Sequence, residues 1–358
     1  MQTGIIGLPQ VGKTTLFRIL TRVRIDEKAA HAATHVGVAR VPEPRLEKLA
    51  ALFQPKKTTY ATVEYVDVGG MQKDRARDSA VLAPLREVDA LAHVLRAFDD
   101  PSVAHSAGSV DPLRDAVSLD LELMLADLDQ IERRIDRVEK DLKKKKETVL
   151  EHELALLIRC RAAIQAEQPL RELEFSAEER KLVSGFMFLS QRPMLYVLNL
   201  GDDEVADLDA AVARHGGEKL MGRPGTVLVP ICGRIEAELS ELEGAEAVEL
   251  LAAYGLKQSG LDRLIEATYR LLGLISFFTA GEPEVRAWTI RRGTTAQKAA
   301  GVIHTDIEHG FIRAEVVRWD ELIAAGGWAQ AREHGKMRLE GKEYVMREGD
   351  TVLFRHSG

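Results

Sequence analysis

Hydrophobic positions along the chain fall into three successive patterns. From residue 1 to about 100, short apolar runs alternate with longer mixed stretches, and each run has the length of a buried strand. This alternation is typical of βαβ units in a mainly parallel sheet, and it returns at residues 193–199 and 225–231. The pattern predicts an α/β domain whose sheet is completed by strands on both sides of a different, intervening segment.

The intervening segment, from about residue 112 to 176, has the periodicity of long helices. Its apolar residues are spaced alternately three and four positions apart, which predicts a coiled-coil helix: Leu121, Met124, Leu128, Ile131, Ile135, Val138 and Leu142. A return helix continues the apolar stripe at Leu150, Leu154 and Leu157. We therefore expect an antiparallel hairpin with four lysines near its tip: Lys143, Lys144, Lys145 and Lys146.

From about residue 276 onward the pattern changes to short strands separated by glycines, with one helix. It predicts strands at 285–290, 311–318, 343–346 and 350–354 and a helix at 295–303. These elements indicate a small α+β domain. Its 12 basic and 12 acidic residues cancel, which favours a surface that contacts protein or recognises shape over one that acts through charge.

Composition narrows the class of protein. A chain of 358 residues is long enough for two or three domains, and its 45% hydrophobic residues can fill real cores. The formal net charge of −7 argues against binding nucleic acid by bulk charge. Two cysteines are too few for a disulfide framework, and the longest apolar segments are too short to cross a membrane. We expect a soluble, cytoplasmic protein with no membrane contact.

The predicted hairpin tip departs from the acidic average. Residues 133–146 contain 8 basic and 3 acidic residues, a local net charge of +5. Such a run is either a solvated helical surface or a basic finger that contacts an acidic partner such as RNA. Both interpretations stay open at the level of the sequence.

Residues 7–14 match the phosphate-binding pattern G-x-x-x-x-G-K-[ST] at every fixed position. They follow an apolar run and precede a predicted helix, which is the strand-loop-helix context that the motif requires. Glycines allow backbone N–H groups to converge on phosphate oxygens, while the lysine bridges the β- and γ-phosphates and the threonine hydroxyl ligates Mg²⁺. The residues predicted to bind the phosphates are Leu8, Pro9, Gln10, Val11, Gly12, Lys13, Thr14 and Thr15, with Lys13 also catalytic and Thr14 also a metal ligand.

A second phosphate-side element is Asp67-Val68-Gly69-Gly70, which fits D-x-x-G at the end of a predicted strand. Asp67 is predicted to reach Mg²⁺ through water, and the Gly70 amide to contact the γ-phosphate. The next residue is Met71, where a Ras-like GTPase has a glutamine that orients the attacking water. Because a thioether cannot orient water by hydrogen bonding, slow intrinsic hydrolysis is expected unless another group positions the water.

The base-reading element is predicted after the strand 194–198, at Asn199-Leu200-Gly201-Asp202. A guanine-specific N-K-x-D motif uses its aspartate to accept hydrogen bonds from guanine. The lysine is missing here, which weakens the guanine interpretation, whereas Asp202 stands where that aspartate would be. The loop that contains Cys232 is the remaining candidate on the base side.

Taken together, these residues resemble the Obg-like ATPases of the YchF type, a family of translation-associated P-loop nucleoside triphosphatases. The resemblance runs nearly end to end, beyond the phosphate loop itself. The supporting stretches are residues 41–46, 88–98, 111–115, 230–239, 278–282, 300–306, 310–315 and 340–344.

The resemblance implies a Ras-like P-loop domain formed by residues 1–111 and 190–275. It also implies a coiled-coil insertion at 112–189 and a C-terminal β-grasp domain of the TGS type at 276–358. The family hydrolyses ATP in preference to GTP with Mg²⁺ and associates with ribosomes. Accordingly, we expect a monomer that contacts the ribosome through the coiled coil and the TGS domain, with ribosomal RNA at Lys143 to Lys146.

The resemblance also implies roles for single residues. The family's base-reading motif is Asn-x-x-Glu, which Asn199 and Asp202 match with a shorter acid, and Leu200 occupies the position whose backbone meets adenine. A family histidine that orients or deprotonates the attacking water aligns with His105. His93, inside an apolar run, is interpreted as a core histidine whose polar atoms are satisfied.

Both switch regions depart from the family pattern. Alignment places His31 at the position of the threonine that ligates Mg²⁺, and Thr34 serves only if the loop is redrawn. The stretch 71–78 is shorter than in the family and contains no glycine, and Gln10 replaces the usual asparagine. The favoured hypothesis is a slow ATPase switch. The alternatives are a GTPase of the same fold, or a nucleotide-gated ribosome-binding module with little hydrolysis.

Overall fold

The computed structural model describes residues 1–22, 34–68 and 79–357. The chain forms two compact units, Met1–Val38 with Glu64–Leu271 and Ala39–Val63 with Leu272–Gly358. This division differs from the domain boundaries that the sequence predicts. The helical segment is part of the first unit, and residues 39–63 belong to the second unit although the sequence places them with the phosphate loop.

Strands and α-helices account for most of the described residues. The strands are β1 Gln2–Ile6, β2 His35–Arg40, β3 Thr58–Thr59, β4 Thr62–Asp67, β5 Ala90–Arg96, β6 Met194–Asn199, β7 Thr226–Ile231, β8 Leu274–Ala280, β9 Val285–Arg291, β10 Phe311–Arg318, β11 Arg338–Glu340 and β12 Asp350–His356. The α-helices are α1 Lys13–Thr21, α2 Pro44–Phe53, α3 Ser79–Glu87, α4 Pro112–Lys144, α5 Thr148–Gln165, α6 Ala177–Ser184, α7 Leu208–Arg214, α8 Gly233–Ser240, α9 Ala245–Ala253, α10 Gly260–Leu271, α11 Ala296–Ile303, α12 Thr305–His309, α13 Trp319–Ala325 and α14 Trp328–Glu333.

The first unit is built on a six-stranded sheet with the order β2-β4-β1-β5-β6-β7. β1 pairs in parallel with β4 and β5, and the pairs β5-β6 and β6-β7 are also parallel. All residues of β5 and β6 are buried, as expected for continuous apolar runs in a parallel sheet. The predicted α/β architecture is confirmed. Because these strands are parallel, the loops after β1, β5, β6 and β7 meet at one edge of the sheet.

The two helices predicted from the three-four spacing are confirmed as α4 and α5. Met124, Ile131 and Ile135 are buried in one apolar cluster with residues of α5. α4 begins at Pro112 after Asp111, whose carboxylate accepts a hydrogen bond from the Arg114 backbone N–H. α4 ends at Lys144 and α5 begins at Thr148, so the four predicted lysines lie at the tip of this helical hairpin.

The second unit is built on a six-stranded sheet with the order β11-β10-β12-β8-β9-β3. β10 pairs antiparallel with β11 and β12, and β8 with β9, whereas β12-β8 and β3-β9 are parallel. Residues 39–63 belong here because β3 adds to this sheet and α2 packs against β8 and β9. Such long-range packing leaves no local pattern in the sequence.

One predicted strand of the second unit is wrong. At 343–346 the chain makes only an isolated bridge, between Thr295 and Val345, and the third antiparallel strand of this region is β11 instead. Polar groups of Tyr344 form hydrogen bonds within turns. The Tyr344 N–H donates to Gly341 O, and the Tyr344 hydroxyl donates to Asp350 at 2.9 Å. The other predicted strands and the predicted helix are present with small shifts of their ends.

None of the helices within the described residues is both long and apolar enough to cross a membrane.

Candidate nucleotide-binding site

The loop between β1 and α1 has the backbone geometry that a phosphate-binding loop needs. Gly7 and Gly12 have φ angles of 146° and 99°, which favour glycine. A Cβ atom at Gly7 would lie 2.6 Å from the carbonyl oxygen of Val94, so no side chain fits there. No side chain within the described ranges caps the start of α1, and the backbone N–H groups of its first turn therefore remain available to an anion.

Lys13 lies across this loop. Its Nζ donates a hydrogen bond to Leu8 O at 2.5 Å. Burial lowers the pKa of Lys13 to about 8, and the nearby Asp67 carboxylate works in the opposite direction. The ammonium group is therefore desolvated and only partly compensated by Asp67, and a phosphate oxygen would supply further negative charge.

Thr14 and Asp67 form a second polar contact beside the loop. The Thr14 hydroxyl donates to Asp67 Oδ2 at 3.4 Å, and Asp67 is buried at the end of β4. Burial raises the pKa of Asp67, while Lys13 and His35 lower it. Asp67 Oδ1 is buried without a hydrogen-bond partner among the described residues. A hydroxyl beside an unsatisfied carboxylate oxygen is the hard-oxygen donor set that Mg²⁺ prefers when phosphates complete its shell.

A cavity of about 320 Å³ adjoins the loop at the edge of the sheet. Its walls come from α1 with the preceding glycine, from the end of β5, and from the segments after β6 and β7. The lining residues are Gly12, Thr15, Leu16, Val94, Phe98, Asp99, Asp100, Asn199, Leu200, Gly201, Asp202, Ile231, Cys232, Gly233, Arg234 and Ala237. The cavity thus brings together Thr15 with all four base-side residues that the sequence singles out, although they are far apart in the chain.

Asn199 ties the phosphate loop to the base-side loop. Its Nδ2 donates to Val11 O at 3.0 Å, and its Oδ1 accepts from the Gly233 N–H at 2.9 Å. Its side chain is buried, and a Cβ atom at Gly12 would lie 2.6 Å from Asn199 Nδ2. The Asn199 amide therefore fixes the phosphate loop and the base-side loop relative to each other. No local pattern in the sequence predicts this role.

The other base-side residues present different groups to the cavity. Leu200 is buried, and its backbone N–H donates to Ile231 O at 2.8 Å. Asp202 pairs with Arg234 at 3.1 Å, an ion pair that is not predicted from the sequence although Arg234 follows Cys232 by two positions. Burial raises the pKa of the Cys232 thiol, which is consequently neutral near pH 7.

His105 is not among the residues that line the cavity. Its Nε2 lies 3.1 Å from Asp115 Oδ2, and its Nδ1 accepts a hydrogen bond from the Ala107 N–H. His93, by contrast, is fully buried in β5, where burial lowers its pKa to about 3. The predicted core position of His93 is confirmed, whereas the prediction that its polar atoms are satisfied is wrong: neither ring nitrogen has a hydrogen-bond partner among the described residues.

The switch residues are only partly covered by the described ranges. Thr34 is exposed and immediately precedes β2. Four other predictions concern residues outside the described ranges: Gly70, Met71, His31 and the stretch 71–78. Their predicted roles stay predictions. Leu8 contributes its carbonyl oxygen to Lys13, while Pro9 and Gln10 complete the turn, with Gln10 exposed at a φ angle of 62°.

A desolvated lysine and an uncapped helix start after β1, with a hydroxyl–carboxylate pair between α1 and the end of β4, suit a chain of phosphates. On a sheet of this strand order, that arrangement places the protein in the class of P-loop nucleoside triphosphatases.

Comparisons with known proteins narrow the class. Residues 2–153 match the family described as "50S ribosome-binding GTPase", and residues 274–357 match the YchF GTPase C-terminal family, described as "Protein of unknown function". The chain is 45% identical to the "Ribosome-binding ATPase YchF" of Bacillus subtilis, covering 99% of each chain, and 39% identical to that of Escherichia coli O157:H7, covering 98% of each. The structure of the Schizosaccharomyces pombe YchF GTPase matches with a TM-score of 0.86 and 30% identity, over 99% of this chain and 97% of that one. The chain belongs to the YchF family.

Proposed function

We propose that this protein is a slow, ATP-preferring nucleoside triphosphatase that acts as a switch on the ribosome. The observation that carries the proposal is the desolvated Lys13 ammonium, which lies across the phosphate loop and beside Asp67. Relatives of nearly equal length carry the name "Ribosome-binding ATPase", which supports both the nucleotide and the partner. We place the protein in the cytoplasm as a monomer.

On the phosphate side, each residue has a separate task. The N–H groups of the loop and of the first turn of α1 hold the phosphate oxygens, and Lys13 exchanges Leu8 O for the β- and γ-phosphates. Thr14 would ligate Mg²⁺ directly and Asp67 would hold it through water, which would neutralise part of the phosphate charge. Thr34, which is exposed immediately before β2, is a further candidate ligand.

On the base side, the contacts support adenine over guanine. A guanine-reading carboxylate must accept hydrogen bonds from N1–H and N2–H of the base. In this chain the Asp202 carboxylate already pairs with Arg234, and the lysine of N-K-x-D is replaced by Leu200. We therefore assign the discrimination to the backbone around Leu200 and to the shape of the cavity.

We propose a reason for slow turnover at His105. We propose that His105 orients or deprotonates the attacking water, as its family alignment suggests. Its Nδ1 accepts a hydrogen bond from the Ala107 N–H, and its buried Nε2 lies 3.1 Å from Asp115 Oδ2 without a hydrogen-bond partner among the described residues. Hydrolysis then requires His105 to move to the phosphates, which adds a conformational step before the chemistry.

The test is steady-state release of phosphate from ATP and from GTP, with and without ribosomes. We expect slow release that favours ATP and rises with ribosomes, and none from the Lys13→Ala variant. Release by the wild-type protein that does not exceed release by Lys13→Ala would remove the proposal.

A second candidate function is a nucleotide-gated binding module with little hydrolysis. The position of His105 favours it, because that side chain is not among the residues that line the cavity. Tight binding of ATP without phosphate release would support the module, whereas ribosome-stimulated turnover would exclude it. Competition of ATP against GTP for the same site separates an ATPase from a GTPase of the same fold.

The ribosome contact is proposed at the helical hairpin and the second unit. Lys143, Lys144, Lys145 and Lys146 are all exposed at the hairpin tip, which suits contact with ribosomal RNA.

A further inference from the structure

Three arginines of the second unit converge on one carboxylate. The guanidinium groups of Arg313, Arg332 and Arg355 each donate from Nη2 to Glu315, at 3.1, 3.3 and 3.0 Å. They come from β10, α14 and β12, three elements that the fold brings together. We call these four residues the arginine cluster.

Burial divides the arginine cluster into a hidden centre and an open rim. The Glu315 side chain is 3% exposed, whereas those of Arg313 and Arg355 are 49% exposed and that of Arg332 is 63% exposed. The hydrogen bond from Arg355, and then the one from Arg313, lower the pKa of Glu315, so the carboxylate stays ionised at neutral pH. Three positive charges and one negative charge leave the cluster with a net excess of positive charge at the surface.

The strand register places two of the three arginines opposite each other. Arg313 and Arg355 are directly opposite each other in the antiparallel pair of β10 and β12. Like charges in that position repel, and the buried carboxylate between them offsets the repulsion. Each guanidinium carries five N–H donors, and only its Nη2 is used on Glu315. Donors in excess of the internal acceptor are available to an external anion.

We propose that the arginine cluster is a phosphate-binding surface for RNA. The planar donor fork of arginine matches phosphate oxygens, and three forks on neighbouring elements suit a chain of repeated phosphates. A protein-binding surface would instead centre on an apolar or aromatic anchor, and the centre here is a carboxylate. The choice of RNA rests on the proposed association with the ribosome.

The surface could not be found from composition. Residues 276–358 contain equal numbers of basic and acidic residues, which predicts no electrostatic role. In the fold, one acid serves three bases at this place, while Arg318 pairs with Asp320 and Lys336 pairs with Glu321. The net charge of zero for residues 276–358 therefore conceals a local excess of positive charge.

The test measures the affinity of the full chain for a fluorescein-labelled single-stranded RNA by anisotropy over a range of salt concentrations. Arg332→Gln should weaken binding about three- to tenfold and reduce the magnitude of the salt slope by about 0.7, because one phosphate contact is lost. Glu315→Gln should tighten binding about threefold, because it raises the local positive charge. Thermal unfolding of Glu315→Gln is measured alongside, because removing the buried carboxylate also removes support for three arginines; a gain in affinity counts only for the folded variant.

Arg318→Gln is the matched control, because Arg318 lies on the same strand and is 62% exposed but pairs outside the cluster. It should bind RNA as the wild type does. Equal losses from Arg318→Gln and Arg332→Gln would overturn the proposal, as would a phosphoserine peptide that binds more tightly than the RNA. ATP hydrolysis is measured on the same samples: RNA binding without hydrolysis refutes the proposed function alone, and hydrolysis with RNA affinity unchanged in Arg332→Gln refutes this inference alone.

Discussion

Lys13 and the lysines at the hairpin tip carry the same charged group in opposite surroundings. The Lys13 ammonium is buried against Leu8 O, and its pKa is lowered to about 8. At the tip, the side chains of Lys144 and Lys145 are both 78% exposed and pair with Asp141 and Glu147. A desolvated ammonium in fixed geometry attracts one phosphate strongly, whereas hydrated ones attract a polyanion weakly and in proportion to their number. The surroundings, more than the residue type, decide what each lysine can do.

The largest effect is expected where the loop that buries Lys13 is distorted. Gly12→Ala places a Cβ at a φ angle of 99° and 2.6 Å from Asn199 Nδ2. We expect a loss of ATP affinity of about 10- to 100-fold, since losing a hydrogen bond to a charged phosphate costs about 1.5–3 kcal/mol. The measurement is a titration with a fluorescent ATP analogue.

Gly222→Ala is the control for Gly12→Ala, because Gly222 also has a positive φ angle, of 77°, but nothing within 4 Å of its Cβ position. It should cost about 1 kcal/mol of stability and leave ATP affinity unchanged. Equal ATP affinity in both variants would break the link between the geometry of the loop and phosphate binding.

A large effect of pH is expected at Lys13. In the free protein its pKa is about 8, and a bound phosphate favours the charged form, so that the complex keeps the proton to higher pH. Above pH 8, binding must therefore take up a proton, and ATP affinity should fall by up to about tenfold per pH unit. Lys13→Arg, which stays charged, should show no such fall. A flat profile for the wild type from about pH 7 to 9.5 would contradict the assignment.

A moderate effect is expected at Asn199. Asn199→Ala removes the hydrogen bonds to Val11 O and from the Gly233 N–H, and it should lower the free energy of unfolding by about 1–3 kcal/mol. ATP affinity should fall about tenfold, because the two loops lose their common support. Asn199→Asp keeps the acceptor for Gly233 and should fall between the wild type and Asn199→Ala. Chemical denaturation and nucleotide titration provide the two readouts.

The smallest effect on the nucleotide is expected at the hairpin tip. Replacing Lys143, Lys144, Lys145 and Lys146 by glutamate should leave ATP affinity and ribosome-free hydrolysis unchanged. Cosedimentation with ribosomes should weaken and lose part of its salt dependence, as expected when phosphate contacts are removed. Unchanged cosedimentation would assign the tip to a solvated helical surface.

Local periodicity explains which parts of the fold could be predicted. The three-four spacing from Leu121 to Leu142 reports one buried helical face, and continuous apolar runs report β5 and β6. The segment 343–346 resembles a strand locally, but its polar groups are used in turns that involve Asp350. The membership of residues 39–63 in the second unit depends on packing against distant strands, which no local pattern reports.

In the candidate site, too, local sequence patterns reveal some features and long-range contacts determine the others. The residues predicted to bind the phosphates are contiguous in sequence, so the motif alone identifies them. The structure adds their backbone conformation and the burial of their side chains. The double hydrogen bond of Asn199 joins positions 11, 199 and 233, and the Asp202–Arg234 pair joins two separate loops. The arginine cluster similarly joins three elements around Glu315. Contacts between residues that are distant in sequence required the fold.

A single-turnover assay tests the proposed ATPase function most directly. Protein in excess over radiolabelled ATP or GTP, with Mg²⁺ and ribosomes, is sampled over time for the diphosphate. We predict slow, complete conversion of ATP, slower conversion of GTP, and no conversion by Lys13→Ala. Conversion of ATP by Lys13→Ala at the wild-type rate, or none by the wild type, would contradict the proposed function.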